Sequence, residues 1–388
     1  MFLSNKINCI FVKMNRIRNL TILGLFAFPF VLPFAGFSQM ESDSLKSLGF
    51  LNKAYSNIEL QPDSALYYAD EVLKIQGVTE SSVNHINALT LKGIVYKNKG
   101  FYDLASKAYI ESLNKAINSN DFGRVSVCLN NIGVIYKVQE NYEQALLYFE
   151  RSLEIEKSLD AELQLSIRHY NIGEVYLELD SLSLAELYFT NSLIIEERNA
   201  HKEGIQYGYF GLGQVDFKKG ELGSAYQKYW KALNYGVGSA ETEIGFNLVN
   251  SLGEVHMAQN NLDSALFFFL EIEGSSKKEE FKDVWMKATK NLADSYSKKE
   301  DFKSAFTYCA IHDSLNASIT KSISNQKIEE LGYLFDLEQK QRQIDLLQFQ
   351  QNQSEVKSKL NKDIIIFIIS SILIVILAIF IKVKQTKK

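Results

Sequence analysis

The chain is poor in proline, histidine and cysteine. Its 388 residues include 3 prolines, 5 histidines and 3 cysteines. All-β sandwiches and barrels use proline freely in their turns, whereas Pro62 is the only proline after residue 38. No two histidines lie three or four positions apart, the spacing of metal ligands on one helix. The sequence therefore indicates an all-α protein without a metal site.

Motifs for catalysis are also missing from the sequence. It contains neither a Walker-type phosphate loop nor the serine elbow of hydrolases. Single carboxylates such as Glu174 and Glu254 are separated by two repeats of the pattern described below, which argues against an acid–base pair. We therefore expect no enzymatic activity and no bound cofactor.

The two ends of the chain carry signals for membrane targeting. Residues 1–38 hold four basic and no acidic residues, an apolar stretch from Leu20 to Phe37, and small residues before Gln39. This pattern predicts a secretory signal peptide, with an uncleaved anchor helix as the alternative. Residues 364–381 are almost wholly apolar and long enough for one transmembrane helix. The lysine-rich segment 382–388 predicts a cytoplasmic tail.

Charge is distributed unevenly along the chain. Each basic end contributes +4 to the net charge of −4, so residues 39–381 carry −12. An acidic domain lacks the basic surface that nucleic acids require. We expect a single-pass protein of the cell membrane whose periplasmic or extracytoplasmic domain binds proteins and does not bind nucleic acid.

A 40-residue repeat occupies the middle of the chain. A small residue recurs at this interval, followed after 12 positions by alanine and after 16 by an aromatic residue. The small residues are Gly93, Gly133, Gly173, Gly213, Gly253 and Ala293, the alanines run from Ala105 to Ala305, and the aromatics are Tyr109, Phe149, Phe189, Tyr229 and Phe269. Apolar residues spaced i, i+3, i+4 and i+7 predict two helices per copy. Because glycine costs about 1 kcal/mol in a helix, its column indicates close approach of the paired helix, with the alanine column facing it.

A further column has tyrosine three residues after the small residue, and Asp216 and His256 replace it in two copies. The aromatic column also has an exception. Cys309 stands in the aromatic column, which predicts a buried thiol. More than four repeats separate it from Cys128, so we expect two free thiols and no disulfide between them.

These columns resemble the tetratricopeptide repeat (TPR), whose signature Gly133, Tyr136, Ala145 and Phe149 match. The resemblance covers about residues 45–316 and implies an α-solenoid of about seven helix pairs. The period of 40 exceeds the family's usual length of about 34 and implies longer helices.

In this family the first helix of each repeat lines a concave groove that holds a protein or peptide partner. Its groove positions correspond here to Asn130, Tyr170, Asn171, Glu174, Tyr207, Phe210, Gln214, Asn247 and Asn250, with Asn131 and Ile167 at further such positions. Aromatics beside amides and carboxylates suit an extended peptide or a helix. The alternative is that these are ordinary half-exposed helix residues.

Residues 320–362 depart from the repeat and predict a helical linker that continues into the transmembrane helix. Apolar pairs such as Ile328 and Leu331 recur without a strict heptad. A coiled-coil homodimer and a solvated spacer helix both remain open.

The whole arrangement predicts a membrane-tethered scaffold or adaptor. It also resembles the sensory half of bacterial TPR-bearing histidine kinases and helix-turn-helix regulators without the output domain. That resemblance implies an alternative function as a sensory subunit, which passes partner binding through its transmembrane helix to a cytoplasmic kinase or regulator.

Overall fold

The computed structural model describes residues 34–75, 82–159, 162–236 and 242–385. Over these residues the chain forms fourteen α-helices, which group into seven consecutive pairs. The helices are α1 Phe34–Ser56, α2 Pro62–Leu73, α3 Val83–Asn98, α4 Tyr102–Asn118, α5 Phe122–Val138, α6 Tyr142–Leu159, α7 Glu162–Glu178, α8 Leu182–Arg198, α9 Lys202–Lys219, α10 Leu222–Tyr235, α11 Glu243–Ala258, α12 Leu262–Gly274, α13 Lys282–Lys298 and α14 Phe302–Gln385.

The helix pairs stack in sequence order. Up to α13, each helix packs against the helices before and after it, and the first helices of neighbouring pairs also contact each other. Contacts between neighbouring pairs are typical of a solenoid of repeats. One ion pair reaches further, because Lys327 of α14 contacts Asp103 of α4 at 2.9 Å. The prediction of an all-α solenoid of about seven helix pairs is confirmed.

Left-handed residues end most of the helices. They recur at intervals of 20 or 40 residues and have φ between 49° and 80°; they are Gly100, Asn120, Glu140, Asp180, Ala200, Gly220, Asn260 and Glu300. At the first of them, the N–H of Phe101 bonds back to the carbonyl of Tyr96 at 2.8 Å. This is the Schellman type of helix end, in which the chain turns without proline. The scarcity of proline follows from these turns.

The glycine column faces the aromatic column rather than the alanine column. A Cβ added to Gly173 would lie 2.8 Å from ring atoms of Phe189, and the same ring lies equally close to Gly211 of the next pair. Phe189 is fully buried between the two helices. The absence of a side chain at the glycines therefore creates the space for the aromatic rings.

The tyrosine column forms stacked pairs within the repeats. Three pairs, Tyr136–Tyr148, Tyr176–Tyr188 and Tyr296–Tyr308, have ring centroids 5.4, 5.5 and 5.6 Å apart. Asp216 and His256, which replace tyrosine in this column, also contact the residue 12 positions later. The carboxylate of Asp216 accepts from Lys228 at 2.6 Å, and His256 stacks on Phe268 at 5.6 Å. The substitutions therefore occur as matched pairs.

The expectation that Cys309 is buried is wrong, because this thiol is exposed. Aromatics of the earlier copies are covered by the first helix of the following pair, as Gly211 covers Phe189. Cys309 lies in α14, the second helix of the last pair, where the described chain supplies no such cover. Cys128 is buried, and its thiol lies 3.3 Å from the hydroxyl of Ser112.

The described chain divides into two compact units between Lys327 and Ile328, within α14. In the second unit, Arg342 pairs with Glu338 at 2.9 Å. No helix among the residues searched in the structure is long and apolar enough to cross a membrane. The side chains of the predicted transmembrane segment 364–381 lie outside the described set. Residues 1–33 of the predicted signal peptide and residues 386–388 of the predicted basic tail also lie outside the described residues.

Candidate partner-binding groove

A cavity of about 990 Å³ lies along the first helices of the first five pairs. Most of its walls come from α1, α3, α5, α7 and α9. Residues 40 positions apart occupy equivalent places on successive first helices, so the walls consist of columns that run from helix to helix. The columns are Ser44, Asn84, Arg124, Gln164 and Gly204; Asn87, Val127, Ile167 and Tyr207; Thr90, Asn130 and Tyr170; Asn131 and Asn171; and Ile94 and Glu174.

The structure brings five of the nine sequence-predicted site residues together in this cavity. They are Asn130, Tyr170, Asn171, Glu174 and Tyr207. The other four predicted residues are Phe210, Gln214, Asn247 and Asn250, which are not part of its lining. Phe210 packs beside Tyr229 with centroids 6.0 Å apart.

Both asparagines outside the cavity bond within the solenoid. The Asn247 amide donates to the backbone carbonyl of Glu243 at 3.0 Å. Asn250 is buried, donates to Glu254 at 2.8 Å, and accepts from Asn291 of the next first helix at 3.1 Å. Asn247 therefore bonds within its own helix, whereas Asn250 links α11 to α13.

Amide side chains form much of the polar surface of the cavity. The Nδ2 of Asn171 donates to Oδ1 of Asn130 at 2.7 Å, which links α7 to α5. The Nδ2 of Asn84 donates to the Ser47 hydroxyl at 2.6 Å. Asn131 lies beside this network, but its Nδ2 is buried without a hydrogen-bond partner. A buried amide donor without a partner is rare, because its desolvation is uncompensated.

The charged side chains of the cavity are paired within the protein. Arg168 and Glu156 form a buried ion pair at 3.2 Å, and burial lowers the pKa of Arg168 to about 10, which leaves it charged at neutral pH. Glu174 pairs with Lys137 at 2.5 Å. The remaining pairings join Arg124 to Asp121, and Glu196 to Ser166 and His201.

Two tyrosines form one end of the cavity wall. Tyr170 and Tyr207 meet edge to face with centroids 5.6 Å apart. Burial, with the nearby Glu174 carboxylate, raises the pKa of Tyr170 well above 10. Burial likewise raises the pKa of Tyr207 to about 12. Both phenols are therefore neutral at physiological pH and offer rings and hydroxyl groups to a ligand.

The chemistry of the cavity is that of binding. Its polar groups are amides, paired charges and neutral phenols, which can orient a ligand through hydrogen bonds. Within the described ranges, no three His, Cys, Asp or Glu side chains lie where they could hold a metal ion.

One column of the cavity was missed by the sequence analysis. Asn84, Arg124 and Gln164 each lie nine residues before the small residue of their copy. They recur at the same 40-residue interval as the predicted sites, so extending the pattern toward the start of each first helix would have found them. The α1 residues Leu45 and Leu48 carry no such signal, because the first helix pair has Lys53 where the later copies have the small residue.

Comparisons with known proteins agree with the repeat. Residues 84–158 match the family model described as Tetratricopeptide repeat. No curated protein sequence matches the chain. Among solved structures, the apo form of RapI has a TM-score of 0.56 at 17% identity, covering 71% of this chain and 99% of its own.

Two further structures are similar. A tetratricopeptide repeat protein from Parabacteroides merdae has a TM-score of 0.50 at 13% identity, covering 75% of this chain and 99% of its own. A Signal Transduction ATPase with Numerous Domains (STAND) protein with a tetratricopeptide repeat sensor, from Pyrococcus horikoshii, has a TM-score of 0.56 at 14% identity; the similarity covers 86% of this chain and 48% of that protein. At these identities, the similarity shows the fold alone.

Proposed function

We propose that the protein captures a polypeptide segment of a partner in the cavity and acts as a scaffold or adaptor without catalysis. The observation that carries this proposal is the arrangement of the cavity along five successive first helices. Four steps of about 8–10 Å between packed helices give a path of roughly 35 Å. An extended chain of about ten residues has this length. A polypeptide segment therefore fits the site better than a compact metabolite.

A paired aromatic substitution tests the binding site. Replacing both Tyr170 and Tyr207 by alanine removes the rings that form one end of the cavity. Partner capture by chemical crosslinking in intact cells, followed by purification and mass spectrometry, is expected to fall at least about tenfold, because aromatic contacts dominate such interfaces. Leu187→Ala, at an exposed position of α8 outside the cavity, is the matched control. Equal capture by both variants would rule out the cavity.

The second element of the proposal is the location. The solenoid lies in the periplasmic or extracytoplasmic space, residues 364–381 cross the cell membrane once, and the C-terminus is cytoplasmic. Support comes from the targeting pattern of residues 1–38, the apolar segment and the basic tail. Alkaline phosphatase fused after residue 340 should be active, and a fluorescent protein fused after residue 388 should fluoresce. The opposite pair of results would contradict this topology.

A sensory subunit is the second candidate function. It is favoured by α14, which begins in the last helix pair and stays helical to Gln385. If the protein is a sensor, the detergent-solubilised full chain should co-purify with a cytoplasmic kinase or regulator. Recovery of envelope proteins alone favours the scaffold.

A homodimer through residues 320–362 would accompany either function. Ile328, Leu331 and Phe335 are exposed and lie at i, i+3 and i+7 on one face of α14, which is the spacing of a helix–helix seam. Light scattering of the solubilised protein should then give twice the monomer mass. Leu331→Asp should reduce the measured mass to that of one monomer.

A further inference from the structure

One column of the cavity wall is apolar on three successive first helices. Its members are Val127 of α5, Ile167 of α7 and Tyr207 of α9, which lie 40 residues apart in the sequence. Each side chain is half-buried and lines the cavity, so part of its apolar surface faces the open space. Water solvates such surface unfavourably, and a ligand that covers it gains affinity. We call these three residues the apolar stripe.

The apolar stripe ends at a polar residue on either side. The preceding member of the column is Asn87 of α3, whose carboxamide oxygen accepts from Nε of Arg124 at 2.9 Å. The following member is Asn247 of α11, whose amide donates to the backbone carbonyl of Glu243 at 3.0 Å. Both amides are bonded within the protein and add no apolar surface to the column. A matching ligand therefore presents three apolar groups in a row.

The first helices that carry the apolar stripe are in direct contact with one another. The Nδ2 of Asn171 in α7 donates to Oδ1 of Asn130 in α5 at 2.7 Å. The ring of Tyr170 in α7 lies 5.6 Å from the ring of Tyr207 in α9, measured between centroids. The axes of helices packed against each other are about 8–10 Å apart. Successive residues of the apolar stripe therefore repeat at about this interval.

This interval selects one conformation of a bound polypeptide. In the polyproline II conformation every third side chain lies on the same face, and three residues span about 9.3 Å. Side chains on one face of a β-strand repeat about every 6.6 Å. On an α-helix, side chains seven residues apart share a face at about 10.5 Å. Only the polyproline II spacing falls within the interval between the first helices.

We propose that Val127, Ile167 and Tyr207 select a partner segment that carries apolar side chains at positions i, i+3 and i+6 and binds in the polyproline II conformation. Each of the three side chains of the partner then contacts one residue of the apolar stripe. This inference rests on the proposed function, because it names the side-chain pattern that the same cavity accepts.

Three peptide libraries and the full-length protein in detergent test the spacing. Every peptide is terminally blocked, about fifteen residues long to accommodate a helical repeat, and carries three leucines, with the other positions randomised among polar amino acids. The leucines lie at i, i+3 and i+6 in the first library, at i, i+2 and i+4 in the second, and at i, i+7 and i+14 in the third. We expect peptides from the first library to bind at least about tenfold more tightly, because the other spacings leave a leucine out of contact.

Proline at the intervening positions i+1 and i+4 tests the conformation. Proline fixes φ near the polyproline II value but breaks an α-helix and removes a donor from a β-strand. Each proline should therefore tighten binding of a peptide from the first library about two- to fivefold, because it restricts the free peptide to the bound conformation. Weaker binding of the proline peptides would overturn the polyproline II conformation.

Ile167→Asn gives the centre of the apolar stripe the residue type that the same column has at positions 87 and 247. In the natural protein, replacing the central leucine of the peptide by serine should weaken binding about tenfold. In Ile167→Asn the same replacement should change the affinity less than about twofold, because the contact is already lost. Leu187→Asn is the matched control, since Leu187 is exposed on α8 outside the cavity. It should leave binding unchanged.

The two ends of the apolar stripe provide independent variants. Val127→Asn should remove the dependence of binding on one terminal leucine of the peptide, and Tyr207→Asn the dependence on the other. Equal affinity for the three libraries would overturn the inference while leaving peptide capture intact, as would the same dependence on the central leucine in Ile167→Asn and the natural protein. Tightest binding from the third library would assign the apolar stripe to a helix and also overturn it. Failure of every library to bind would refute the proposed peptide capture itself.

Discussion

Gly173→Ala tests the packing that repeats along the solenoid. An ideal Cβ at this position would lie 2.8 Å from Cδ1 and Cε1 of Phe189, and 3.2 Å from Cγ. Carbon atoms in favourable contact are about 3.5–4.0 Å apart. The ring cannot retreat freely, because Gly211 of the next pair lies against the same ring atoms. The added methyl group must therefore strain the core.

The expected magnitude is a balance of two effects. Overpacking a core costs about 1–3 kcal/mol, and replacing glycine by alanine in a helix gains about 1 kcal/mol. Gly173→Ala should lower the free energy of unfolding by about 1 kcal/mol. Gly173→Leu should lower it further, because its longer side chain meets the same ring. Gly49→Ala is the control, because nothing lies within 4 Å of its new Cβ in α1. That variant should be stabilised by up to about 1 kcal/mol.

Urea unfolding of the solubilised protein, followed by circular dichroism, measures both variants. Adding Phe189→Leu to Gly173→Ala should recover part of the loss, because the smaller side chain vacates the contact. Equal stabilisation by Gly173→Ala and Gly49→Ala would refute the packing role of the glycine column.

Three further perturbations test other parts of the structure. Lys228→Tyr leaves the buried Asp216 carboxylate without its ion-pair partner and should lower the free energy of unfolding in urea by about 3 kcal/mol. The double change Asp216→Tyr, Lys228→Tyr should restore stability to within about 1 kcal/mol, because it forms the stacked tyrosine pair of other copies. A double variant no more stable than the single one would contradict this pairing. Burial lowers the pKa of His169 to about 4, below about 6.5 in the unfolded chain. The folded state therefore binds this proton less readily, so the stability from neutral His169 is complete above pH 6.5 and is lost as the pH falls toward 4; His169→Gln should flatten the pH dependence of urea unfolding in this window, and an unchanged slope would show that His169 is not its source. A thiol reagent should modify the exposed Cys309 in the native protein but Cys128 only after unfolding, and native labelling that persists in Cys309→Ser and maps to Cys128 would contradict the burial of that thiol.

Much of the fold could be predicted because one pattern repeats. A column such as Gly93 to Gly253 places the same contact in successive pairs, so local periodicity and long-range packing agree. The pairing of Asp216 with Lys228 was not predicted, because a replaced tyrosine resembles decay of the repeat until its neighbour across the helix pair is known. The helix ends were also hidden, because residues such as Glu140 and Ala200 rarely adopt a left-handed conformation.

The candidate site could be predicted only in part. The family positions that apply to Tyr170 and Tyr207 continue equally to Phe210 and Asn250, and sequence spacing does not show where the cavity ends. Its extent depends on how the first helices of the first five pairs surround a common space. The unpartnered amide of Asn131 could not be foreseen either, because hydrogen-bond satisfaction depends on three-dimensional neighbours.

Photo-crosslinking in intact cells tests the central claim most directly. A photoreactive amino acid at position 167 would sit in the cavity wall, and one at position 187 would sit on an exposed part of α8 outside the cavity. We expect a crosslinked polypeptide from position 167 and none from position 187. Crosslinking from position 187 with none from position 167 would contradict capture of a partner in the cavity.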